Sequence, residues 1–95
     1  LDLDEAEFNL VKALMDASEG LSTVEVNEIL GISTKNIDNQ RKLRLQVISN
    51  INHKFQVKYS MGNVIIRNPS SVDKRQSLYS IKPEGQKRVS KDLNL

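Results

Sequence analysis

Ninety-five residues are enough for one small domain with a single modest core, because a chain of this length buries only about two-thirds of the surface that it exposes when unfolded. A hydrophobic fraction of 38% and a charged fraction of 27% argue against disorder. The lack of cysteine excludes disulfides and thiolate chemistry, and no apolar run approaches the roughly 18 residues of a membrane span. The net charge of +2 hides a division, since residues 1–34 carry −7 and residues 35–95 carry +9, which indicates that the second part faces a polyanion.

The first predicted helix begins near Asp4 and ends near Glu19 and Gly20. Acidic residues fill its first turn, where they suit the positive end of the helix dipole. Glycine can adopt the left-handed conformation that ends a helix. The residues at helical spacing that predict its buried face are Phe8, Val11, Leu14 and Met15.

A second, short helix is predicted to begin at Ser22. The Ser22 hydroxyl can accept from the Glu25 amide while the Glu25 carboxylate accepts from the Ser22 amide, which is a capping box. Gly31 is placed to end this helix after about two turns. Its predicted apolar positions are Val24, Val26, Ile29 and Leu30.

The third predicted helix is capped by Ser33 or Thr34 and continues to about Phe55, near 20 residues. A projection at 100° per residue separates two faces. The predicted core face contains Ile37, Val47, Ile48, Ile51 and Phe55. The predicted outward face contains Lys35, Asn39, Lys42, Gln46, Ser49 and His53.

Extended structure is predicted after the third helix. Val57 and Tyr59 suit a brief strand, and residues 64–67 and 76–81 form two further strand candidates because they are rich in β-branched and alternating residues. The polar, proline-bearing segment 68–75 between them predicts the tip of a broad hairpin. A closing helix follows over residues 83–93, with proline in its first turn.

The order of helix, short helix, glycine turn and long helix is typical of DNA-binding proteins, in which the second helix of the pair enters the major groove. The stretch 21–37 resembles a bacterial helix-turn-helix core, where apolar residues lock the two helices together. The first part of the chain, residues 4–37, is also similar to the DNA-binding domains of LuxR-type regulators. The apolar residues at the locking positions here are Val26, Ile29, Leu30, Ile32 and Ile37.

The outward face of the third helix consists of side chains that can donate to phosphates or contact base edges. Lysine and arginine suit guanine, and asparagine and glutamine suit adenine. An exposed helix face is also polar for solubility alone, but this one lacks the glutamates that such faces usually carry. The predicted DNA-contacting residues of this region are Lys35, Asn36, Asn39, Lys42, Gln46, Ser49 and His53.

Three other residues of the third helix have open roles, and His53 is not expected to bind a metal. Arg41 and Arg44 fall toward the core side, so they are either paired inside or directed to phosphates. Leu45 falls on the outer flank, where it suits a thymine methyl or a second subunit. His53 is the only histidine, and without cysteine it cannot build an ordinary zinc site, so no metal is expected.

The hairpin carries a second resemblance. Asp73, Lys74 and Arg75, followed by the segment 77–85, resemble the wing of MarR-type regulators. That resemblance implies that Arg75 meets the minor groove and that Asp73 holds Arg75 in position. Arg67 and Lys74 complete the predicted DNA-contacting set of the hairpin.

These features predict an α+β fold, a winged helix-turn-helix with three helices, a β-hairpin wing and a short C-terminal helix. Residues 1–95 are expected to form one domain, with the helix-turn-helix at about 22–55 and the wing at about 64–81. Because the chain begins at Leu1, we expect a fragment of a longer protein. The expected location is the cytoplasm, in keeping with the lack of cysteine and of a signal peptide.

The predicted function is sequence-specific binding of double-stranded DNA by a bacterial-type transcription regulator. Two alternatives remain: a winged helix that docks another protein through its acidic first helix, and the non-catalytic DNA-binding domain of a larger DNA-processing enzyme. The two oppositely charged parts of the chain could also simply neutralise each other. No nucleophile, acid-base pair or cofactor motif is visible, so we expect no enzymatic activity, no cofactor and no membrane partner, and a homodimer is left open.

Overall fold

The computed structural model describes residues 1–94, which form four helices and three short strands. The strands make one antiparallel sheet in the order β1-β3-β2, so the α+β class is confirmed. In chain order the elements are α1 (Glu5–Asp16), β1 (Leu21–Ser22), α2 (Thr23–Ile29), α3 (Ile37–Tyr59), β2 (Ile65–Pro69), β3 (Ser77–Ile81) and α4 (Pro83–Leu93).

Helix α1 begins where the sequence predicts, because Asp4 caps it. The Asp4 carboxylate accepts from the Glu7 amide at 2.8 Å, and the Glu7 carboxylate accepts from the Asp4 amide at 2.9 Å. The helix ends at Asp16, earlier than predicted. Gly20, with a φ of +93°, turns the chain into β1 instead of closing the helix, and a Cβ there would lie 2.8 Å from a backbone oxygen of β3.

Helix α2 has the predicted start and the predicted stop. The Ser22 and Glu25 capping box is present in both directions, at 3.2 and 3.0 Å, and Gly31 has a φ of +70°. Val26 is fully buried. Val24, which the sequence predicts as an apolar packing position, is instead 65% exposed. The helix has seven residues, so it buries only the narrow stripe that faces α1 and α3.

Helix α3 begins at Ile37 and is capped by Asn36, so the predicted caps Ser33 and Thr34 are wrong. The Asn36 side chain accepts from the backbone amide three residues on at 2.8 Å. The chain before it stays in a turn, which the Gln40 side chain holds by donating to the carbonyls of Ser33 and residue 35 at 2.9 Å each. This local support accompanies a start of the helix two or three residues later than predicted.

Helix α3 also continues past Phe55 to Tyr59, so the predicted strand at Val57 and Tyr59 is wrong. The strand preference of a β-branched residue is overridden here by packing. The fully buried Phe55 contacts the Tyr59 ring at a centroid distance of 6.0 Å, and the Arg88 guanidinium of α4 covers that ring at 4.9 Å. Ser60, with a φ of +53°, ends the helix.

The rotation of α3 agrees with the prediction except at its first residue. Ile48, Ile51 and Phe55 are buried and Val47 is partly buried, as expected. Ile37 is 81% exposed, so its assignment to the core is wrong. Residues 37 and 48 differ by only about 20° in helical phase but by about 16 Å along the axis, because each residue rises 1.5 Å. Ile37 therefore lies on the same side of α3 as the buried residues, but the first turn of the helix extends past the end of the core.

The sheet joins the end of α1 to the hairpin. Leu21 of β1 lies opposite Tyr79 of β3, and Tyr79 lies opposite Arg67 of β2. Strand β1 was not expected, because two residues are too few to show an alternating pattern. The predicted strand runs 64–67 and 76–81 correspond to β2 and β3, and each is shifted by one or two residues at its ends.

The free edge of β2 is protected at its two ends. The Lys82 amide donates to the Val64 carbonyl at 2.8 Å, and ladder bonds alternate along the strand, so Ile65 and Pro69 direct their backbone groups outward. The Asn52 side chain of α3 accepts from the Ile65 amide at 2.8 Å and donates to its carbonyl at 3.4 Å. Pro69 has no amide to offer. By the same alternation Arg67 also directs its amide and carbonyl outward, so the protection against another strand is confined to the two ends of β2.

Helix α4 closes the core. Pro83 occupies its first turn as predicted, and Val89 is fully buried. Gly85 is buried against the Val64 side chain, which a Cβ at that position would approach to 2.8 Å. The buried hydrophobic core comprises Leu10, Val11, Leu14, Leu21, Val26, Ile48, Ile51, Phe55, Val64, Ile65, Tyr79, Ile81 and Val89.

Candidate nucleic-acid interface

The outward face of α3 is exposed along its whole length. Asp38 is the one acidic residue of this helix. The stripe is longer than a groove crossing, since Asn39 and His53 lie about 21 Å apart along the axis and the major groove is about 12 Å wide. Residues 39–46 therefore fit one groove, while Ser49 and His53 lie beyond its width. The exposed side chains of the predicted stripe are Asn39, Lys42, Gln46, Ser49 and His53.

The turn before α3 places Lys35 and Asn36 at the same end of the molecule as Ile37. All three are exposed, but the Asn36 side-chain oxygen is occupied as the helix cap. Arg41 is exposed, so its placement toward the core is wrong, and the alternative that it is directed to phosphates stays a prediction. Leu45 is exposed on the outer flank as expected. The first two turns of α3 thus present both cationic and apolar groups to solvent.

A buried polar network connects α2, α3 and β3. The Arg44 guanidinium donates to the Asn27 side-chain oxygen at 3.0 Å and to the Tyr79 hydroxyl at 3.3 Å. The Asn27 amide donates to the Gln40 side chain at 3.3 Å. Sequence reasoning gave no role to Asn27 or Tyr79. The one sequence feature that could have indicated this network is Asn27 itself, because an asparagine on the inward side of a short helix needs a hydrogen-bond partner.

Arg44 is only 8% exposed, yet its hydrogen-bond partners are neutral. The ion pairs formed by residues 1–94 join Lys54 to Glu7, Lys58 to Asp92, Arg75 to Asp73 and Lys82 to Glu84, and none of them includes Arg44. A buried charge without an opposite charge is costly, so the positive field of Arg44 is left for whatever approaches this side of the molecule.

Arg67 lies on β2 directly opposite Tyr79. Its guanidinium carbon is 5.7 Å from the centre of the Tyr79 ring, which is a cation–π contact. The ring and the hydroxyl of one tyrosine therefore hold two different arginines, because the hydroxyl accepts from Arg44. Arg67 itself is exposed and keeps its donors available.

The hairpin tip is held by its own hydrogen bonds. The buried Ser70 hydroxyl accepts from the amides of Val72 and Asp73 at 3.2 and 3.3 Å, and the Gln76 amide donates to the Asp73 carbonyl at 3.0 Å. The Asp73 carboxylate accepts from the Arg75 amide at 3.0 Å and from the Arg75 side chain at 3.2 Å. The tip is therefore preorganised, and the expected contact of Asp73 with Arg75 is present.

This contact also shifts the titration of Asp73. The hydrogen bond from the Arg75 amide, and then the one from its guanidinium, lower the pKa of Asp73 below the usual range of an aspartate. The Arg75 side chain remains 91% exposed, and Lys74 beside it is exposed. Two cations consequently project from the tip, one of them with its orientation fixed.

A polar cavity of about 330 Å³ lies between the start of α2 and the base of the hairpin. Its walls come from three separate segments, so no linear pattern of residues predicts it. Two arginines and no acidic residue line it. The lining residues are Ser22, Thr23, Val24, Arg67, Arg75, Gln76 and Ser77.

Residues 1–94 show neither a metal-binding cluster nor a membrane-spanning helix. These residues contain no group of three or more histidine, cysteine, aspartate or glutamate side chains that could hold a metal ion. None of their helices is both long enough and apolar enough to cross a membrane. Comparisons of the chain with protein-family models, with curated proteins and with solved structures found no match.

Proposed function

We propose that this chain is a winged helix-turn-helix domain that binds double-stranded DNA in a sequence-specific way, as part of a bacterial-type transcription regulator. The element order α1-β1-α2-α3-β2-β3-α4 and the sheet order β1-β3-β2 are compatible with that fold. Helix α3 is the reading helix, α2 braces it, and the hairpin between β2 and β3 is the wing. The role is binding, without a catalytic step.

The observation that carries the proposal is the character of the exposed face of α3. Between Asn39 and Gln46 it offers amide and ammonium donors, all of them exposed, in a length that one major groove accommodates. Asparagine and glutamine suit adenine, and Lys42 suits guanine or a phosphate. Ile37, exposed at the start of the helix, suits a thymine methyl.

The hairpin tip supplies a second contact of a different kind. Lys74 and Arg75 carry positive charge on a preorganised turn, and such groups bind phosphates or the minor groove with little sequence information. The division of charge fits this arrangement. Residues 1–34, which include α1 and α2, carry −7, while the segment with α3 and the hairpin carries +9.

The salt dependence of DNA affinity tests the proposal. A duplex would first be selected from random sequences, and its affinity would be measured by fluorescence anisotropy over a series of salt concentrations. We expect affinity to fall steeply with salt, because phosphate contacts release counterions. A selected site with two inverted halves would in addition indicate a homodimer.

A pair of double variants makes the test specific to the hairpin. Replacing Lys74 and Arg75 by Ala should reduce the salt slope by up to about two units and weaken binding to specific and random duplexes alike. Replacing Lys87 and Lys91 of α4, which are also exposed, changes the net charge equally and should leave the slope nearly unchanged. Equal effects of the two variants would exclude the wing, and no duplex binding at low salt would exclude the function.

Protein docking is the second candidate. The exposed acids around α1 favour it, since they form a surface that DNA would repel. Both functions can coexist on opposite faces. Reversing the charge of Glu5 and Asp16 should leave duplex affinity within about twofold if α1 points away from the DNA, and a large gain in affinity would show that α1 lies beside it.

A further inference from the structure

We propose that the cavity between the start of α2 and the base of the hairpin is a binding site for a phosphate group, with Arg67 and Arg75 as its two cationic ligands. In the proposed function this group is one phosphodiester of the duplex backbone. A free phosphate has the same chemistry and is distinguished by the experiment. The inference rests on the proposed function only for its source of phosphate.

The charge of the cavity is the first argument. Both arginines line a space of about 330 Å³ that no acidic side chain enters. Among residues 1–94 Arg67 forms no ion pair and Arg75 pairs with Asp73, so the two guanidinium groups and the single carboxylate leave a net positive charge that attracts an anion. Planar guanidinium forks match the geometry of phosphate oxygens, which a point charge such as lysine does not.

The orientation of the two arginines is the second argument. Arg67 rests on the ring of Tyr79 at 5.7 Å, and Arg75 is held by the Asp73 carboxylate. The Tyr79 ring and the Asp73 carboxylate each contact only part of the guanidinium group that they hold, so other N–H donors remain for a ligand. Side chains fixed in this way lose less entropy when they bind, so the site is partly preorganised.

Neutral donors complete the lining. Ser22, Thr23 and Ser77 also line this space, and the Ser22 hydroxyl oxygen already accepts from the Glu25 amide, which leaves its proton to donate. Hydroxyls and guanidinium groups together are the donor set that phosphate oxygens need. An apolar or cationic ligand would leave them unpaired.

The buried charge of Arg44 also favours a phosphate in this cavity. Arg44 is nearly buried, has no acidic partner among the described residues, and shares Tyr79 with Arg67. Its uncompensated charge adds to the positive potential on this side of the molecule. A bound phosphate would supply the opposite charge that the protein itself does not.

The test has two arms. In the first, the side-chain Nε signals of the arginines are followed by NMR during titration with inorganic phosphate, with sulfate at equal ionic strength and with chloride. We expect the signals of Arg67 and Arg75 to move together with phosphate at millimolar concentrations, while that of Arg88, which covers Tyr59 on α4, stays in place. Equal responses of all three signals would overturn the site.

In the second arm, the affinity for the selected duplex is measured for Arg67→Ala, Arg75→Ala, the double variant and the control Arg88→Ala. Each cavity variant should weaken binding about tenfold, because a charged hydrogen bond to phosphate is lost. The double variant should lose clearly less than the product of the two single losses, since both residues hold the same phosphate. Independent, multiplicative losses would overturn the shared site.

The two arms separate this proposal from the function. If the wild-type protein binds no duplex but the Arg67 and Arg75 signals still move with phosphate, the site stands as a free-phosphate site and the DNA function fails. If duplex binding is strong and salt-dependent but neither cavity signal moves and the losses multiply, the function stands and the phosphate site fails. Circular dichroism of each variant excludes misfolding, since both arginines are surface residues.

Discussion

Two isoleucines on the same face of α3 should differ sharply in what they contribute to stability. Ile37 and Ile48 have almost the same helical phase, but Ile37 is 81% exposed and Ile48 is 8% exposed. Removing a buried isoleucine side chain down to Cβ costs about 2 to 5 kcal/mol, which combines the lost transfer energy with the cavity left behind. An exposed substitution away from special features changes stability by less than about 0.5 kcal/mol.

These free energies convert into large differences in melting temperature. A domain of this size has an unfolding entropy of about 0.2 kcal/mol per kelvin, so 1 kcal/mol shifts the midpoint by about 5 °C. Ile48→Ala should therefore lower Tm by about 10 to 25 °C, and Ile37→Ala by less than about 3 °C. Far-UV circular dichroism during heating, checked by urea unfolding with unchanged m-values, measures both.

The pair also links stability to binding. Ile37→Ala should leave the fold intact but weaken binding to a duplex that offers a thymine methyl at the matching position. A loss of stability at Ile37 comparable to that at Ile48 would refute the placement of the first turn of α3 outside the core. An unaffected Tm in Ile48→Ala would refute the rotation of the helix, and with it the identity of the outward stripe.

Three further predictions follow from the structure. Lys42→Ala and Gln46→Ala should each reduce discrimination between the selected and a scrambled duplex by about 1 to 3 kcal/mol, whereas unchanged discrimination in both would mean that another element reads the sequence. Gly85→Ala should lower the free energy of unfolding, measured in urea, by about 1 to 3 kcal/mol, because the new Cβ would lie 2.8 Å from a methyl group of Val64. Alanine has the better helix propensity, so a gain in stability would contradict this packing. The pKa of Asp73 is lowered in the fold, so its contribution to the order of the tip should be complete above the usual aspartate range and lost only as pH falls through the lowered pKa. The NMR signal of the Arg75 amide should therefore titrate with a midpoint below about 3.9, the usual value for aspartate. A midpoint at or above that value would argue against the contact between Asp73 and Arg75.

The helix starts that depend on local chemistry could be predicted from the sequence. The capping box of Ser22 and Glu25, the acidic start of α1 and the glycine turn at Gly31 each involve neighbours three or fewer residues apart, so a linear pattern contains all the partners. The rotation of α3 was equally accessible, because five apolar residues over five turns define a face.

The parts that failed depend on side-chain contacts that neither helical periodicity nor propensity describes. The delayed start of α3 needs Gln40 to hold the preceding turn, and its late end needs Tyr59 to pack between Phe55 and Arg88. Neither follows from propensity, which favours a strand at Val57. Strand β1 exists only because β3 pairs with it.

The candidate site shows the same division. Exposed cations of the hairpin and the outward stripe of α3 are visible in the sequence, since their positions follow from a period or a turn. The cavity lined by Arg67 and Arg75 is not, because the start of α2 and the two ends of the hairpin meet only in the folded chain. The burial of Arg44 between the neutral side chains of Asn27 and Tyr79 likewise cannot be predicted from the number and sign of the charges in the sequence.

The network around Arg44 gives the proposed interface its geometry. Asn27 of α2 and Tyr79 of β3 bind the same guanidinium of α3, so α2, α3 and β3 are fixed to one another through a single buried group. Hydrogen bonds in a buried network lose their value if any member moves, which makes the arrangement stiff. On the proposed function, one helix enters a groove and one loop contacts the neighbouring backbone, and such stiffness would increase affinity because less motion has to be frozen on binding. The buried arginine therefore has a reason to be there that a well-packed apolar side chain would not satisfy.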